Sequence, residues 1–361
     1  MKKIMWSAFA LMLVLTACGG QQPAPATPAG EPAPAATETA TAPAATEAPA
    51  AAPTEGKKIT VGVMPKLKGI AFFNATEKGA REAGEELGIT VDFDGPVTND
   101  VTLQTQMIET WIAKKYDAIA VAPNDPDAIA PVLEKARKRG IKVVTWDADS
   151  AAPSRDFFVN QCTNESVAKS LMDVMATTVS PDAKYVIVTG SLTAANQNMW
   201  MAEMEKYRQS AYPGMVNLSE SPKASGEDLA LATQVTADTI KAYPDLQGIF
   251  AITSVALPGA AEAIRKGGVA DKIFLTGLAT PNTMKPYVKD GTVKKFVLWN
   301  AVDLGYLAVQ VATASVKAEL QQGATTFKAG RLGDRTVLNG DQVVLGDPIV
   351  FDAGNIDTFD F

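Results

Sequence analysis

VGVMPKLKGIAFFNATEKGA, residues 61–80, decides the fold. Its first four residues form a short apolar run closed by proline, the pattern of a buried strand, and from Phe72 onward the spacing is helical. The turn between them carries Lys66 and the pair Phe72-Phe73, where short polar residues are the ordinary choice. It is one strand-to-helix unit with large side chains held at the strand's carboxyl end.

The unit repeats along the chain. Strands are expected at 59–64, 90–93, 118–121, 142–145, 185–189, 216–218, 248–252, 272–276 and 295–298, with helices at 72–87, 101–114, 126–139, 165–177, 196–210, 227–242, 257–266 and 281–289. Alternation of this kind predicts an α/β protein with parallel sheet and crossover helices. A turn-rich connection at 151–153 separates four units from four or five more, so two doubly wound lobes are the economical reading. In the second helix Leu103, Met107, Ile108, Trp111 and Ile112 fall on one face and read as core. The tail, 325–361, reads as short strands with tight turns.

The first 56 residues stand apart. Lys2 and Lys3 precede an apolar run of signal-peptide length, and Leu15-Thr16-Ala17-Cys18 resembles the bacterial lipobox, which predicts cleavage before a lipidated Cys18. From 19 to 56 only Ala, Pro, Thr, Glu, Gln and Gly occur, so no large apolar side chain offsets the entropy of folding, and a disordered tether is expected. At roughly 3 Å per residue it would hold a folded domain several tens of ångströms off a membrane. Cys162 is then the one cysteine of the folded part, which has no internal disulfide.

Charge and composition exclude whole classes of function. The net charge is −7, and setting aside Lys2, Lys3 and the four tether glutamates leaves −5 on residues 57–361, which argues against nucleic acid as the partner. Histidine is absent, which removes Ser-His-Asp and Cys-His mechanisms and the usual zinc sites. No glycine-rich phosphate motif follows any strand. No cofactor and no metal is expected, and the chain is read as a binding protein, not an enzyme.

Ligands of doubly wound sheets sit outside the carboxyl ends of the strands. There the sequence places Lys66, Phe72 and Phe73 after the first strand, Asp147 and Asp149 after the fourth, and Asn196 and Gln197 after the strand at 185–189. Ser254, Thr280, Trp299 and Asn300 follow later strands. Taken singly, Asp149 is an ordinary turn residue, Asn196 an ordinary helix cap and each aromatic an ordinary core residue. Taken together, aromatic faces with amides and hydroxyls around them are how a neutral polyhydroxylated ligand is held. Lys66 and Asp147 cancel in charge, which favours a neutral ligand over a phosphate or carboxylate.

Six stretches carry a resemblance: MPKLKGIAFF (64–73), TWDAD (145–149), RDFFVNQ (155–161), ANQNMW (195–200), ATPNTMKPYVKDGTVKKF (279–296) and LWN (298–300). Together they resemble the type I periplasmic-binding-protein superfamily, the sugar receptors of ABC importers, in the branch of rhamnose-binding and autoinducer-2-binding proteins. The resemblance spans 57–361. It implies two lobes, 57–160 plus 300–323 and 161–299 plus 324–361, joined by a hinge that the chain crosses near Asn160-Gln161, Trp299-Asn300 and Gln322-Gly323. Lys66, Asp147 and Gln197 match the autoinducer-2 pattern. Asn196 departs from it, as does the stretch around 252–254, so a rhamnose-like deoxyhexose comes first and autoinducer-2 second. The resemblance further implies an extracytoplasmic monomer, anchored through Cys18, working with a permease and an ATPase. The alternatives from other classes are a sugar-acting enzyme using Asp147 and Asp149, and a signalling lipoprotein without an importer.

Overall fold

The computed structural model describes residues 57–361. The signal segment, Cys18 and the tether lie outside the described residues.

The first lobe opens with β1 (Thr60–Met64), α1 (Ala71–Leu87), β2 (Thr90–Phe93), α2 (Val101–Ala113), β3 (Ala118–Val121), α3 (Pro126–Lys138), β4 (Lys142–Trp146) and β5 (Phe157–Asn160). The chain then builds α4 (Asn164–Thr178), β6 (Lys184–Thr189), α5 (Ala195–Ala211), β7 (Val216–Asn217), β8 (Lys223–Ala224), α6 (Leu229–Ala242), β9 (Gly248–Ala251), α7 (Ala256–Gly267), β10 (Phe274–Gly277), α8 (Pro281–Lys289) and β11 (Lys295–Leu298). It ends with α9 (Ala301–Val316), β12 (Thr326–Lys328), β13 (Asp334–Leu338), β14 (Gln342–Val344) and β15 (Ile349–Asp352). The expected strands and helices all form, most within a residue or two of their expected ends.

One sheet runs β12-β13-β14-β5-β4-β3-β1-β2, parallel from β14 to β2. The other runs β10-β9-β6-β7 with β8 also beside β6, and all its pairs are parallel. The antiparallel pair β11-β15 attaches to it through a bridge between Leu278 and Val297. β1, β3 and β4 are apolar runs buried on both faces, as helix-covered parallel strands must be. Their helices start where the sequence signals them. Asp100 accepts from the Thr102 and Leu103 amides, and Asp125 caps α3 just ahead of Pro126.

Three elements escaped the sequence reading, β5, the two-residue β8 and α9. Helix α9 is apolar on all sides, and all but one of its first fifteen residues are buried, so no amphipathic stripe marks it. It packs against α1 so closely that a Cβ at Gly79 would lie 1.7 Å from the Val302 carbonyl oxygen, and one at Gly305 1.9 Å from the Thr76 carbonyl oxygen. The two glycines let the backbones touch. In α2 the buried set is Gln104, Ile108, Trp111 and Ile112, with Leu103 exposed in place of the expected stripe member.

Strand pairing corrects the course of the tail. β14 lies parallel to β5, with Gln342 opposite Phe158 and Val344 opposite Asn160, so residues up to 344 belong to the first sheet and not to the second lobe. Only β15 returns to the second. The third crossing therefore runs through 345–348 instead of Gln322-Gly323, because β12–β14 extend the edge that β5 leaves open. The chain also passes between the two sheets between β5 and α4 and between β11 and α9.

Candidate functional site

The carboxyl ends of both sheets face one cavity of about 50 Å³, on a measure by which one water takes roughly 10–15 Å³. That is room for a compact molecule and excludes an oligosaccharide. Its lining is almost entirely buried.

The first lobe supplies a charged pair on a rigid loop. Lys66 Nζ sits 3.2 Å from Asp147 Oδ2, and both side chains are nearly inaccessible. The loop is fixed from below by Gln104, whose Nε2 donates to the Ala122 carbonyl at 2.8 Å and the Pro65 carbonyl at 3.2 Å while its Oε1 accepts from the Asn124 amide at 3.0 Å. Asn124 Nδ2 in turn donates to the Lys66 carbonyl at 2.9 Å. Asp147 has φ +62°, in the left-handed region that Asp tolerates better than most side chains. That turn brings its carboxylate onto Lys66. Burial pushes the Asp147 carboxyl above its ordinary range, and the adjacent ammonium opposes the push.

Helix α5 brings Asn196 and Gln197 to the opposite wall. Lys66 Nζ donates to Asn196 Oδ1 at 3.0 Å, and Asn196 Nδ2 donates to the Asp147 carbonyl at 3.2 Å. One amide thus joins the lobes twice. Gln197 Oε1 accepts from the Gly190 amide at 2.9 Å, which leaves Nε2 as its donor, aimed at Glu227 Oε1 at 3.3 Å. Thr253 Oγ1 accepts from the Ala256 amide at 3.0 Å and donates to Glu227 Oε2 at 3.0 Å.

Aromatic rings complete the enclosure. Phe72 meets Phe73 edge-on at 5.1 Å and Trp299 at 6.0 Å, Phe73 meets Trp146 at 5.8 Å, and Trp200 lies 5.7 Å from Trp299. Trp200 and Trp299 line the cavity, and their buried indole N–H groups have no acceptor among the described residues.

Of the residues expected from the sequence, Lys66, Phe72, Phe73, Asp147, Asn196, Gln197, Ser254 and Trp299 come together around this space. Asp149, Thr280 and Asn300 do not. Asp149 holds Arg155 in a fork, at 2.6 Å to Nε and 2.8 Å to Nη2, and Arg155 Nη1 reaches Asp341 at 2.8 Å. That cluster pins the tail to the first lobe, and it removes Asp149 from any carboxylate pair facing a substrate. Thr280 is fully buried against Thr283, and Asn300 caps α9 by accepting from the Asp303 amide. Thr253, which follows β9 beside Ser254, also lines the cavity, and sequence reasoning missed Trp200 and above all Glu227. An acidic residue just before a helix reads as an ordinary capping signal. Burial pushes the Glu227 carboxyl above its usual range, while Lys66 and the hydrogen bonds from Thr253 and Gln197 oppose the push and Asp147 adds to it. The cavity therefore carries one cation and two acids, and the cancellation of Lys66 by Asp147 is only part of its charge.

A model of the periplasmic binding protein domain matches residues 61–320. The chain belongs to the periplasmic binding protein family. A sugar ABC transporter structure from Actinomyces odontolyticus is 35% identical, with TM-score 0.69 over 84% of this chain and 98% of that one. LsrB of Clostridium saccharobutylicum in complex with AI-2 is 27% identical, with TM-score 0.80 over 84% of this chain and all of that one. An ABC transporter solute-binding protein of Clostridium phytofermentas with bound L-rhamnose is 26% identical, with TM-score 0.78 over 83% and 98%. The fold is thus that of a two-lobed binding protein.

Proposed function

We propose that this protein is the extracytoplasmic receptor of an ABC importer, a binding protein whose lobes close on one small neutral sugar and present it to a permease driven by an ATPase. A rhamnose-like deoxyhexose is the favoured ligand. The observation that carries the reading is a buried aromatic enclosure, Phe72, Phe73, Trp200 and Trp299, rimmed by amides, hydroxyls, the Lys66–Asp147 pair and the Glu227 carboxyl. A ligand with apolar C–H faces and hydroxyls at its edges would cover the rings and bond the polar rim. Autoinducer-2, itself compact and polyhydroxylated, is the second reading. It rests on Lys66, Asp147 and Gln197, and is weakened by the amide at Asn196.

Calorimetry against L-rhamnose, autoinducer-2, an amino acid and a sugar phosphate tests the ligand class. Saturable binding of a neutral polyol is expected. Binding of the amino acid or phosphate ester alone would overturn it. Closure is read separately. Trp146, Trp200 and Trp299 are buried, so ligand should shift their emission and reduce the radius of gyration, and a complex that changes neither does not close. Anchoring through Cys18 is checked by mass spectrometry of the membrane fraction, where a diacylglyceryl-modified Cys18 should be the mature N-terminus; an unmodified start elsewhere would refute it.

A further inference from the structure

Glu227 is built into the cavity at some cost. It is a non-glycine residue at φ +56°, in the left-handed region that glycine favours and other side chains enter with strain. It sits just ahead of Asp228, whose side chain caps α6. A Cβ at Gly190 would lie 1.9 Å from Glu227 Oε1, so glycine at that strand end leaves the space the carboxyl occupies.

The hydrogen bonds around it have only one consistent direction. Gln197 must donate, because its oxygen accepts from the Gly190 amide and its nitrogen is the atom that faces Glu227, and Thr253 must donate, because its oxygen accepts from both the Val255 and the Ala256 amides. Both carboxyl oxygens therefore accept from the protein. A proton on Glu227 has no protein acceptor to go to among these partners, and the cavity is what remains. The longer of the two contacts, 3.3 Å at Oε1 against 3.0 Å at Oε2, marks Oε1 as the weaker acceptor and the oxygen suited to carry that proton. The charged groups facing it are Lys66 and Asp147 across the cleft.

We infer that Glu227 is a specificity-determining residue that meets the ligand as a neutral acid, donating its proton to a hydroxyl or ring oxygen of a neutral polyol. The inference rests on the sugar-receptor reading. With Lys66 and Asp147 as an ion pair, a neutral Glu227 makes the closed site neutral overall, and the upward push of burial acts in the same direction. A proton is then taken up as the lobes close. Affinity is full at mildly acidic pH and weakens as pH rises, by up to about tenfold per unit once closure must bring the proton with it. The chain has no histidine and burial pushes the Cys162 thiol far up, so the group to separate from Glu227 is Asp147, whose carboxyl burial also raises.

The test is calorimetry of the full-length lipoprotein in detergent with L-rhamnose and with D-ribose, in two buffers of different ionisation enthalpy, from mildly acidic to mildly alkaline pH. The wild type should take up close to one proton per ligand near neutrality. Glu227→Gln should bind about tenfold more weakly, since its amide faces the Gln197 donor, and should lose the pH dependence. Gly190→Ala, which pushes the carboxyl aside, should weaken binding and reduce proton uptake while thermal unfolding reports an intact fold. Binding without proton uptake, or a pH dependence that persists in Glu227→Gln, overturns the inference and leaves the sugar-receptor reading standing. If neither sugar binds at any pH, the sugar reading fails for these ligands and the inference falls with it. Should Glu227→Gln not fold, the proton uptake of Gly190→Ala against that of the wild type decides, and an unchanged count overturns the inference.

Discussion

The two lobes reach the same cavity by different means. The first presents Lys66 and Asp147, a nearly inaccessible ion pair on a loop that Gln104 and Asn124 fasten to the sheet. The second presents neutral amides and a carboxyl, Asn196, Gln197 and Glu227, whose bonds run mostly within their own lobe. The first wall is rigid and charged, and its parts fail together. The second is a set of adjustable hydrogen bonds in which single changes tune the ligand and leave the fold intact.

Four substitutions would break or sharpen that contrast. Gly305→Val drives a branched side chain into the Thr76 backbone of α1 and should cost on the order of 4–5 kcal/mol, enough to unfold the first lobe in thermal denaturation. Asp147→Ala leaves Lys66 as a buried charge without its carboxylate and should cost about 3–5 kcal/mol in stability, with binding lost in calorimetry. If binding survived, the pair would be scaffolding only. Asn196→Ala removes both bonds that join the lobes and should weaken ligand by about 1–3 kcal/mol, with scattering showing a more open mean shape and the melting temperature little changed. Asp149→Asn should lower stability by roughly 1–3 kcal/mol through the loosened Arg155 and leave affinity untouched. A loss of affinity there would return Asp149 to the site.

Much of this was legible in the sequence where local chemistry decides the outcome. Apolar runs at strand positions gave the sheets; Lys66 and Phe72 were found because large side chains follow the first strand where short polar residues are ordinary, and Asp147 because it follows the fourth. Helix α9 was not found, since a helix buried on every side has no polar face to set its period. The edge that receives β12–β14 was misassigned because three short strands carry no mark of the sheet they join. Glu227 was overlooked for a different reason. Its place depends on a left-handed turn and on empty space at Gly190, which are facts about backbone and distance that an acidic residue ahead of a helix does not announce.

The third crossing at 345–348 bears on how many ways the molecule can move. The chain leaves the first sheet at Asn160 and again just past Val344, and these residues are register partners, with the Leu345 amide bonded to the Asn160 carbonyl at 2.8 Å. Neighbouring strands lie about 4.8 Å apart, so two of the three connections act as a single doubled pivot, and the Trp299-Asn300 connection supplies the other. Two pivots define one line. Rotation about that line is the soft degree of freedom, while sliding and twisting would stretch covalent chain. Distances measured across the cleft should therefore all be functions of one angle, and a proteolytic nick between 345 and 348 should broaden their distribution before it moves their mean.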